Sequence, residues 1–182
     1  LFCNIIVTLS GFWHFYKAGY FRPDRVMPFV VLSIPMAYLG GSIHLSDQHF
    51  RLLLGVSLFF VATRIALPGD LFESTVAVSK SRAWFVGLPV GAVLGFVSGL
   101  VGIGGGIFLS PILLLMRWAN AKEAAACASF FILVNSLAGL GGQLRHGAID
   151  ARFLLPLGIS VFLGGQLGAN FSAYHLPRRA LE

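Results

Sequence analysis

Charged and sulfur-containing side chains are scarce in this sequence. Asp, Glu, Lys and Arg make up only 11% of the 182 residues, whereas 57% are hydrophobic, and the mean hydropathy is +0.83. These values exclude an ordinary soluble globular domain. The two cysteines, Cys3 and Cys127, both lie in apolar stretches, which excludes a disulfide framework and a CxxC metal or redox site. We predict an all-α fold, a polytopic transmembrane helical bundle, in the cell membrane, with the bacterial plasma membrane as the expected location.

Groupings of catalytic or ligand side chains are missing as well. The 13 Lys and Arg give a net charge of +6, but they are scattered over short connections and form no basic stripe, so nucleic acid is not an expected partner. The five histidines include no pair at i and i+4, and no carboxylate lies inside an apolar span. Without a nucleophile and base pair or a ligand set, we expect no enzyme activity, metal or cofactor.

What the sequence does contain is a run of glycines inside an apolar segment of membrane length. No charge occurs between Trp84 and Met116. The run comprises Gly102, Gly104, Gly105 and Gly106, and Ser110 and Pro111 follow it. Backbone groups are left unpaired at membrane depth only where they face protein or a polar cavity, so the run predicts a broken helix of the kind that binds substrate in transporters. It is not a phosphate-binding P-loop, because Ile107 stands where that motif needs lysine.

The chain also resembles itself at a shift of 128 residues. The shift places Gly11 on Gly139, Gly19 on Gly147, Pro28 on Pro156 and Gly40 on Gly168. This pattern predicts an internal duplication: a partial first repeat of three helices at 1–67, a linker at 68–83, and a second repeat at 84–182 with the broken helix and two spans. The broken segment of the first copy would then precede Leu1, and the last span of the second copy would be missing.

Basic residues in the connections bear on how the broken segment crosses the membrane. They divide seven against five if the segment crosses fully, and nine against three if it dips in and returns. The positive-inside rule favours the second arrangement. An odd number of crossings per repeat would also make the two repeats inverted, as in many secondary transporters.

Three motifs carry a resemblance to a known family. They are the segment GFVSGLVGIGGGIFLSP at 95–111, ACAS at 126–129 and GAID at 147–150. Together they resemble the sulfite exporter TauE/SafE family of membrane proteins. The resemblance implies an integral plasma-membrane protein of two homologous halves that moves small sulfur-containing anions such as sulfite or sulfoacetate.

The candidate substrate-binding residues fall in two groups, and each group has a structural alternative. The four glycines of the break would present backbone N–H groups to an anion at the start of a second helical arm near Ile107. Ser110 and Pro111 of the same motif belong to this group of candidates. Alternatively, these glycines only permit close packing of helices. The second group would line the permeation route as neutral hydrogen-bond partners, or would simply hydrogen-bond between helices: Ser129, Asn135, Ser136 and Gln143.

The leading hypothesis is an integral membrane secondary transporter of small anions, sulfite or organosulfur compounds. Its expected partners are the lipid bilayer and the small anionic substrate, and a homo-oligomer is left open. The alternative is a membrane scaffold or assembly subunit without transport activity. A scaffold would show no anion flux.

Overall fold

Every regular element that the structure, a computed structural model, describes is a helix. The described residues are 1–43, 46–66, 79–144 and 156–164. The helices are α1 (Phe2–Lys17), α2 (Pro23–Gly41), α3 (Asp47–Ala66), α4 (Lys80–Val101), α5 (Gly106–Leu115), α6 (Ala121–Gln143) and α7 (residues 156–164). The all-α prediction is confirmed for this part of the chain. Most of the predicted linker, Gly147, Gly168 and the end of the last span lie outside the described residues.

Several helix ends follow directly from local sequence. Pro23 begins α2, where a missing N–H costs nothing. Asn120 and Glu123 form a reciprocal capping box at the start of α6: the Glu123 N–H donates to Asn120 Oδ1 at 2.9 Å, and the Asn120 N–H donates to Glu123 Oε2 at 3.1 Å. Helix α4 ends at Gly102 in the left-handed conformation, whose N–H donates to the Ser98 carbonyl at 2.8 Å.

Helices α2 and α4 pack through a stripe of glycines spaced four apart. The stripe consists of Gly87, Gly91, Gly95 and Gly99, which meet Pro28, Phe29, Ser33 and Ala37 in that order. Because contacts advance in the same direction on both helices, α2 and α4 run parallel. A Cβ on Gly91 would lie 2.7 Å from the Phe29 carbonyl carbon, so the two backbones touch. Small residues at this spacing are what brings helices together in lipid.

Helix α6 runs parallel to α2 and antiparallel to α1. On the α2 side, Cys127 Sγ lies 3.7 Å from the Arg22 carbonyl oxygen near the start of both helices, and Gly41 meets Gly139 near their ends. On the α1 side, a Cβ on Gly139 would lie 3.2 Å from Leu1, at the start of α1. Towards the end of α1, the Phe12 and Phe130 rings are 5.2 Å apart.

After the break, the chain reverses direction beside the end of α4, and α5 packs against α6. A Cβ on Gly105 would lie 3.1 Å from Ser98 Cβ and 3.3 Å from the Leu94 carbonyl oxygen, both of which precede the end of α4. Helix α5 ends at Leu115, and the chain then reaches Trp118, whose ring centroid is 6.0 Å from that of Phe29. Trp118 also shares a buried cluster with Ala83, at the start of α4. The interrupted segment therefore begins and ends at the same end of the helical assembly.

The outer surface of this assembly is strongly apolar. Among the described residues, Phe85 is 83% exposed and Phe59 is 75% exposed, and many large aliphatic side chains, such as Leu52 and Val93, are also exposed. Two described helices, Ser81–Val101 and Ala121–Gln143, are long and apolar enough to cross a bilayer. An apolar surface of this extent suits contact with lipid.

Candidate functional site

The helix break is built by three glycines in left-handed conformation. Gly102, Gly104 and Gly105 have φ angles of 78°, 87° and 73°. Residues with a Cβ adopt such angles at a cost of about 1–2 kcal/mol each. Three of them within four positions explain why the sequence needs a glycine run here. The observed start of α5, at Gly106, is one residue from the predicted start near Ile107.

The break lies at mid-depth in the assembly. A Cβ on Gly104 would be 2.5 Å from Ile132 Cγ2, and a Cβ on Gly106 would be 2.6 Å from the Ala128 carbonyl oxygen. Ile132 is the central residue of the 23-residue α6. If α6 crosses the bilayer, the start of α5 therefore lies near the midplane, the depth at which transporters place their substrate sites.

A side chain from α1 occupies the carbonyl side of the break. Asn4 Nδ2 donates to the carbonyl oxygens of Ile103 at 3.0 Å and Gly102 at 3.3 Å. Carbonyls that follow the last turn of a helix have no helical donor of their own. Asn4 supplies that donor from 98 residues away in the sequence, so the acceptors of the break are already satisfied by protein.

The amide side of the break lacks such a cap. Gly105 is the N-cap residue of α5, and no described side chain caps this turn. The Phe108 N–H donates to the Gly105 carbonyl at 3.1 Å, but the N–H groups of Gly106 and Ile107 have no backbone acceptor among the described residues. A helix N-terminus carries about half a positive charge. By contrast, Asn120 and Glu123 form a capping box at the start of α6. The first two N–H groups of α5 are thus open to an external acceptor, which favours an anion.

Three buried oxygen atoms around the break also lack partners among the described residues. They are Ser98 Oγ, Asn135 Oδ1 and Ser136 Oγ, all in fully buried residues. Ser136 Oγ lies 3.0 Å from the position of a Cβ on Gly104, and Ser98 lies beside Gly105. An unsatisfied buried polar atom costs about 1–3 kcal/mol, so their concentration at one place indicates a site for a polar ligand.

The structure brings part of the predicted site together. Gly104, Gly105 and Gly106 contact α6 close to Asn135 and Ser136. Gly102 directly follows the last residue of α4, and a Cβ on it would be 3.7 Å from Leu1 Cγ. Four glycines and two polar residues of the predicted set therefore share one region.

The other predicted residues lie apart from the break. Ser129 is half-buried beside Gly11 of α1, and its hydroxyl donates to the Ala125 carbonyl at 2.9 Å. Gln143 is exposed at the last residue of α6. Ser110 and Pro111 lie in the middle of α5, half-buried and buried respectively. The structure does not place these four side chains at the first turn of α5.

Sequence reasoning missed two residues of the site, Asn4 and Ser98. Asn4 is the only asparagine of α1, and only the tertiary packing of α1 against α6 brings it to the break. Ser98 had a local signal: it is a polar residue in an apolar span, one turn before the first left-handed glycine. A buried serine in such a position deserves the same weight as the glycines that follow.

A separate ion-pair cluster lies at the end of the assembly where α2 and α6 begin. Glu123 is buried and accepts from Arg22 Nε at 2.9 Å and from Arg25 Nη1. Arg22 and Arg25 flank the start of α2, so this carboxylate ties α2 to α6. Phe12, Phe21 and Phe130 pack with ring centroids 5.0–5.2 Å apart between this cluster and the break.

An all-helical chain with bilayer-length apolar helices and a helix interrupted at mid-depth has the architecture of membrane transport proteins. The sequence model of the family described as "Sulfite exporter TauE/SafE" matches residues 1–182, and the chain belongs to this family. The resemblance drawn from the glycine motif is thereby confirmed.

Curated relatives carry the same class of name. "Probable membrane transporter protein y4hK" of Sinorhizobium fredii is 35% identical over 175 residues, which cover 95% of this chain and 70% of that protein. "Probable membrane transporter protein YunE" of Bacillus subtilis is 34% identical over 84 residues, 46% of this chain and 31% of its own length. A probable membrane transporter protein of Methanocaldococcus jannaschii is 24% identical over 160 residues, 81% of this chain and 58% of its own. No solved structure is significantly similar to the chain.

Proposed function

We propose that this protein is a secondary transporter that moves a small anion, sulfite or an organosulfur compound, through the bacterial plasma membrane. One observation carries the proposal: the uncapped first turn of α5 lies at mid-depth beside three buried oxygens without partners among the described residues. The N–H groups at the start of α5 and the hydroxyls of Ser98 and Ser136 bind an anion as neutral donors, which holds it loosely enough to be released. No bond is made or broken in this scheme, and the protein needs no cofactor or catalytic group.

Charge placement supports a multi-pass topology with a re-entrant broken segment. Lys and Arg residues gather at the end where α4 starts and α5 returns: Lys17, Arg22, Arg25, Lys80, Arg82, Arg117 and Lys122. At the opposite end, where α2 connects to α3, Arg51 is the only Lys or Arg near the connection among the described residues. The positive-inside rule assigns the basic end to the cytoplasm. Both ends of the broken segment then lie on the cytoplasmic side.

Helix packing supports an inverted duplication with repeats at 1–67 and 84–182. The shift of 128 residues relates residues 2–15 of α1 to residues 130–143 of α6, and these two helices pack antiparallel, as an inverted repeat requires. A Cβ on Gly158 of α7 would lie 3.0 Å from Phe2, and the same shift relates this pair to Val30 and Phe130. Val30 belongs to the buried cluster, and Phe130 packs against that cluster.

Alternating access follows from this arrangement. In this scheme the Glu123 ion pairs and the phenylalanine cluster, which tie α2 and α1 to the first half of α6, would close the cytoplasmic side. Opening it requires α2 to separate from the start of α6. Rocking of one repeat against the other around the break would do this without moving the site itself.

Anion flux in proteoliposomes tests the proposal. We expect the purified protein to catalyse uptake of radiolabelled sulfite above the level of empty liposomes. Gly104→Leu should abolish uptake, because its side chain would clash with Ile132 and Ser136 and displace the break. Gly55→Leu is the matched control, since nothing lies within 4 Å of a Cβ at that exposed position, and it should retain uptake. Absence of flux for sulfite and for organosulfonates would identify a scaffold instead.

A further inference from the structure

Asn135 is left with a hydrogen-bond acceptor that nothing among the described residues satisfies. Its Nδ2 donates to the Phe131 carbonyl, one turn back on α6, at 2.9 Å. Its Oδ1 is fully buried and has no described partner. The amide cannot be turned round, because Oδ1 would then face the Phe131 carbonyl, and two acceptors would meet. Oδ1 therefore requires a donor from outside the described chain.

Asn135 lies on the face of α6 that packs against Gly105 of the break and against Gly99 near the end of α4. Phe131, Asn135 and Gly139 are spaced four apart and so share one face of α6. On one side, the Phe131 ring lies 3.0 Å from a Cβ on Gly105, and on the other, a Cβ on Gly139 would lie 3.4 Å from Gly99. Asn135 thus occupies a polar layer between two close contacts. The layer is about two helical turns high, or roughly 11 Å, which limits the ligand to a small one.

Donors and acceptors in this layer are of two kinds. The N–H groups at the start of α5 and the hydroxyls of Ser98 and Ser136 can donate to the oxygens of an anion. Asn135 Oδ1 can only accept. A fully ionised oxyanion such as the sulfite dianion offers only lone pairs, so it would leave Oδ1 unsatisfied and face it with like charge. The described residues that contact the break are also neutral, and burying a second charge without a counter-charge is costly.

Resting on the transport function proposed above, we propose that the transported species is a monoanion that keeps one hydrogen-bond donor, hydrogen sulfite rather than the sulfite dianion. Its ionised oxygens bind the α5 N–H groups and the two serine hydroxyls, and its O–H donates to Asn135 Oδ1. Asn135 is on this account a specificity-determining residue. It selects the protonation state of the substrate.

Competition in proteoliposomes tests this selection. Uptake of radiolabelled sulfite is measured at equal internal and external pH, below and above neutrality, with methanesulfonate, a monoanion without an O–H group, as competitor. Uptake should follow the concentration of hydrogen sulfite and not that of total sulfite. Methanesulfonate should compete about tenfold more weakly than hydrogen sulfite, as expected for the loss of one buried hydrogen bond.

The variant Asn135→Leu removes the acceptor and keeps the side-chain size. It should reduce the preference for hydrogen sulfite over methanesulfonate to less than about threefold. Thermal unfolding of the wild-type protein gives a second readout that needs no variant: hydrogen sulfite should stabilise it more than methanesulfonate at equal concentration. If flux is absent but this stabilisation is seen, transport fails and the selection still stands.

Three results would overturn the selection. Equal competition by the two monoanions would show that no donor is recognised. Uptake that follows the dianion would show the opposite protonation state. Uptake that requires sodium and ignores substrate protonation would assign Asn135 Oδ1 to a bound cation.

Discussion

Replacing Ser136 by alanine should change stability and transport in opposite directions. The Ser136 hydroxyl is fully buried without a partner among the described residues, and it faces the break at Gly104. Removing an unsatisfied buried hydroxyl relieves a desolvation cost of about 1–3 kcal/mol. We therefore expect Ser136→Ala to raise the free energy of unfolding of the substrate-free protein by about 1–2 kcal/mol. In the bound state the same hydroxyl donates to an anion, so sulfite affinity should fall about tenfold or more.

Ser33 provides the matched control for this experiment. It is equally buried, but its hydroxyl donates to the Val30 carbonyl at 3.0 Å. Ser33→Ala should therefore lower the free energy of unfolding by about 1 kcal/mol and leave sulfite affinity unchanged. Thermal unfolding in detergent and calorimetric titration with sulfite measure the two quantities. The reasoning is refuted if Ser136→Ala destabilises the protein as Ser33→Ala does, or if it binds sulfite with wild-type affinity.

Three further substitutions test the packing, the break and the closed end. Gly91→Ala should lower the free energy of unfolding by about 1–3 kcal/mol, because its Cβ would press on the α2 backbone. Gly55→Ala, on an open helix face, should raise it by up to about 1 kcal/mol. Equal shifts of the two variants in chemical denaturation would show that the glycine stripe does not hold α2 and α4 together. Gly105→Ala and Gly19→Ala carry the same left-handed strain of about 1–2 kcal/mol, but only the first should lose sulfite uptake, since only Gly105 touches the site. Glu123→Gln keeps the α6 cap but leaves Arg22 and Arg25 without their carboxylate partner. It should therefore lower the free energy of unfolding by roughly 1–3 kcal/mol. An unchanged melting temperature would show that the ion pairs contribute nothing to stability.

The sequence predicted the break well because its signal is local. Three left-handed residues in an apolar stretch require glycine, and the run at Gly102 to Gly106 shows this without any tertiary information. The packing stripe at Gly87 to Gly99 is also written in the sequence as a four-residue spacing, although only the structure shows that α2 is its partner. Close packing, the alternative weighed for the break, occurs at this stripe, and Gly104 and Gly106 of the break also pack closely against Ile132 of α6.

Tertiary contacts were beyond the reach of sequence spacing. Asn4 reaches the break only because α1 packs against α6, and nothing in α1 itself marks that contact. Ser136 and Gln143 are seven residues apart and so share one face of α6, but Gln143 is the last residue of the helix and is exposed. Periodicity gives the face of a helix. It does not tell where along the helix a partner lies.

The most direct test of this account is to locate the bound anion. Selenite is a heavier analogue of sulfite, and anomalous diffraction from crystals of the protein with selenite would give its position. The account predicts one strong peak within hydrogen-bond distance of the N–H groups at the start of α5 and of the Ser136 hydroxyl. A peak elsewhere would contradict the account. So would residues 102–106 forming an unbroken helix against lipid or a neighbouring helix.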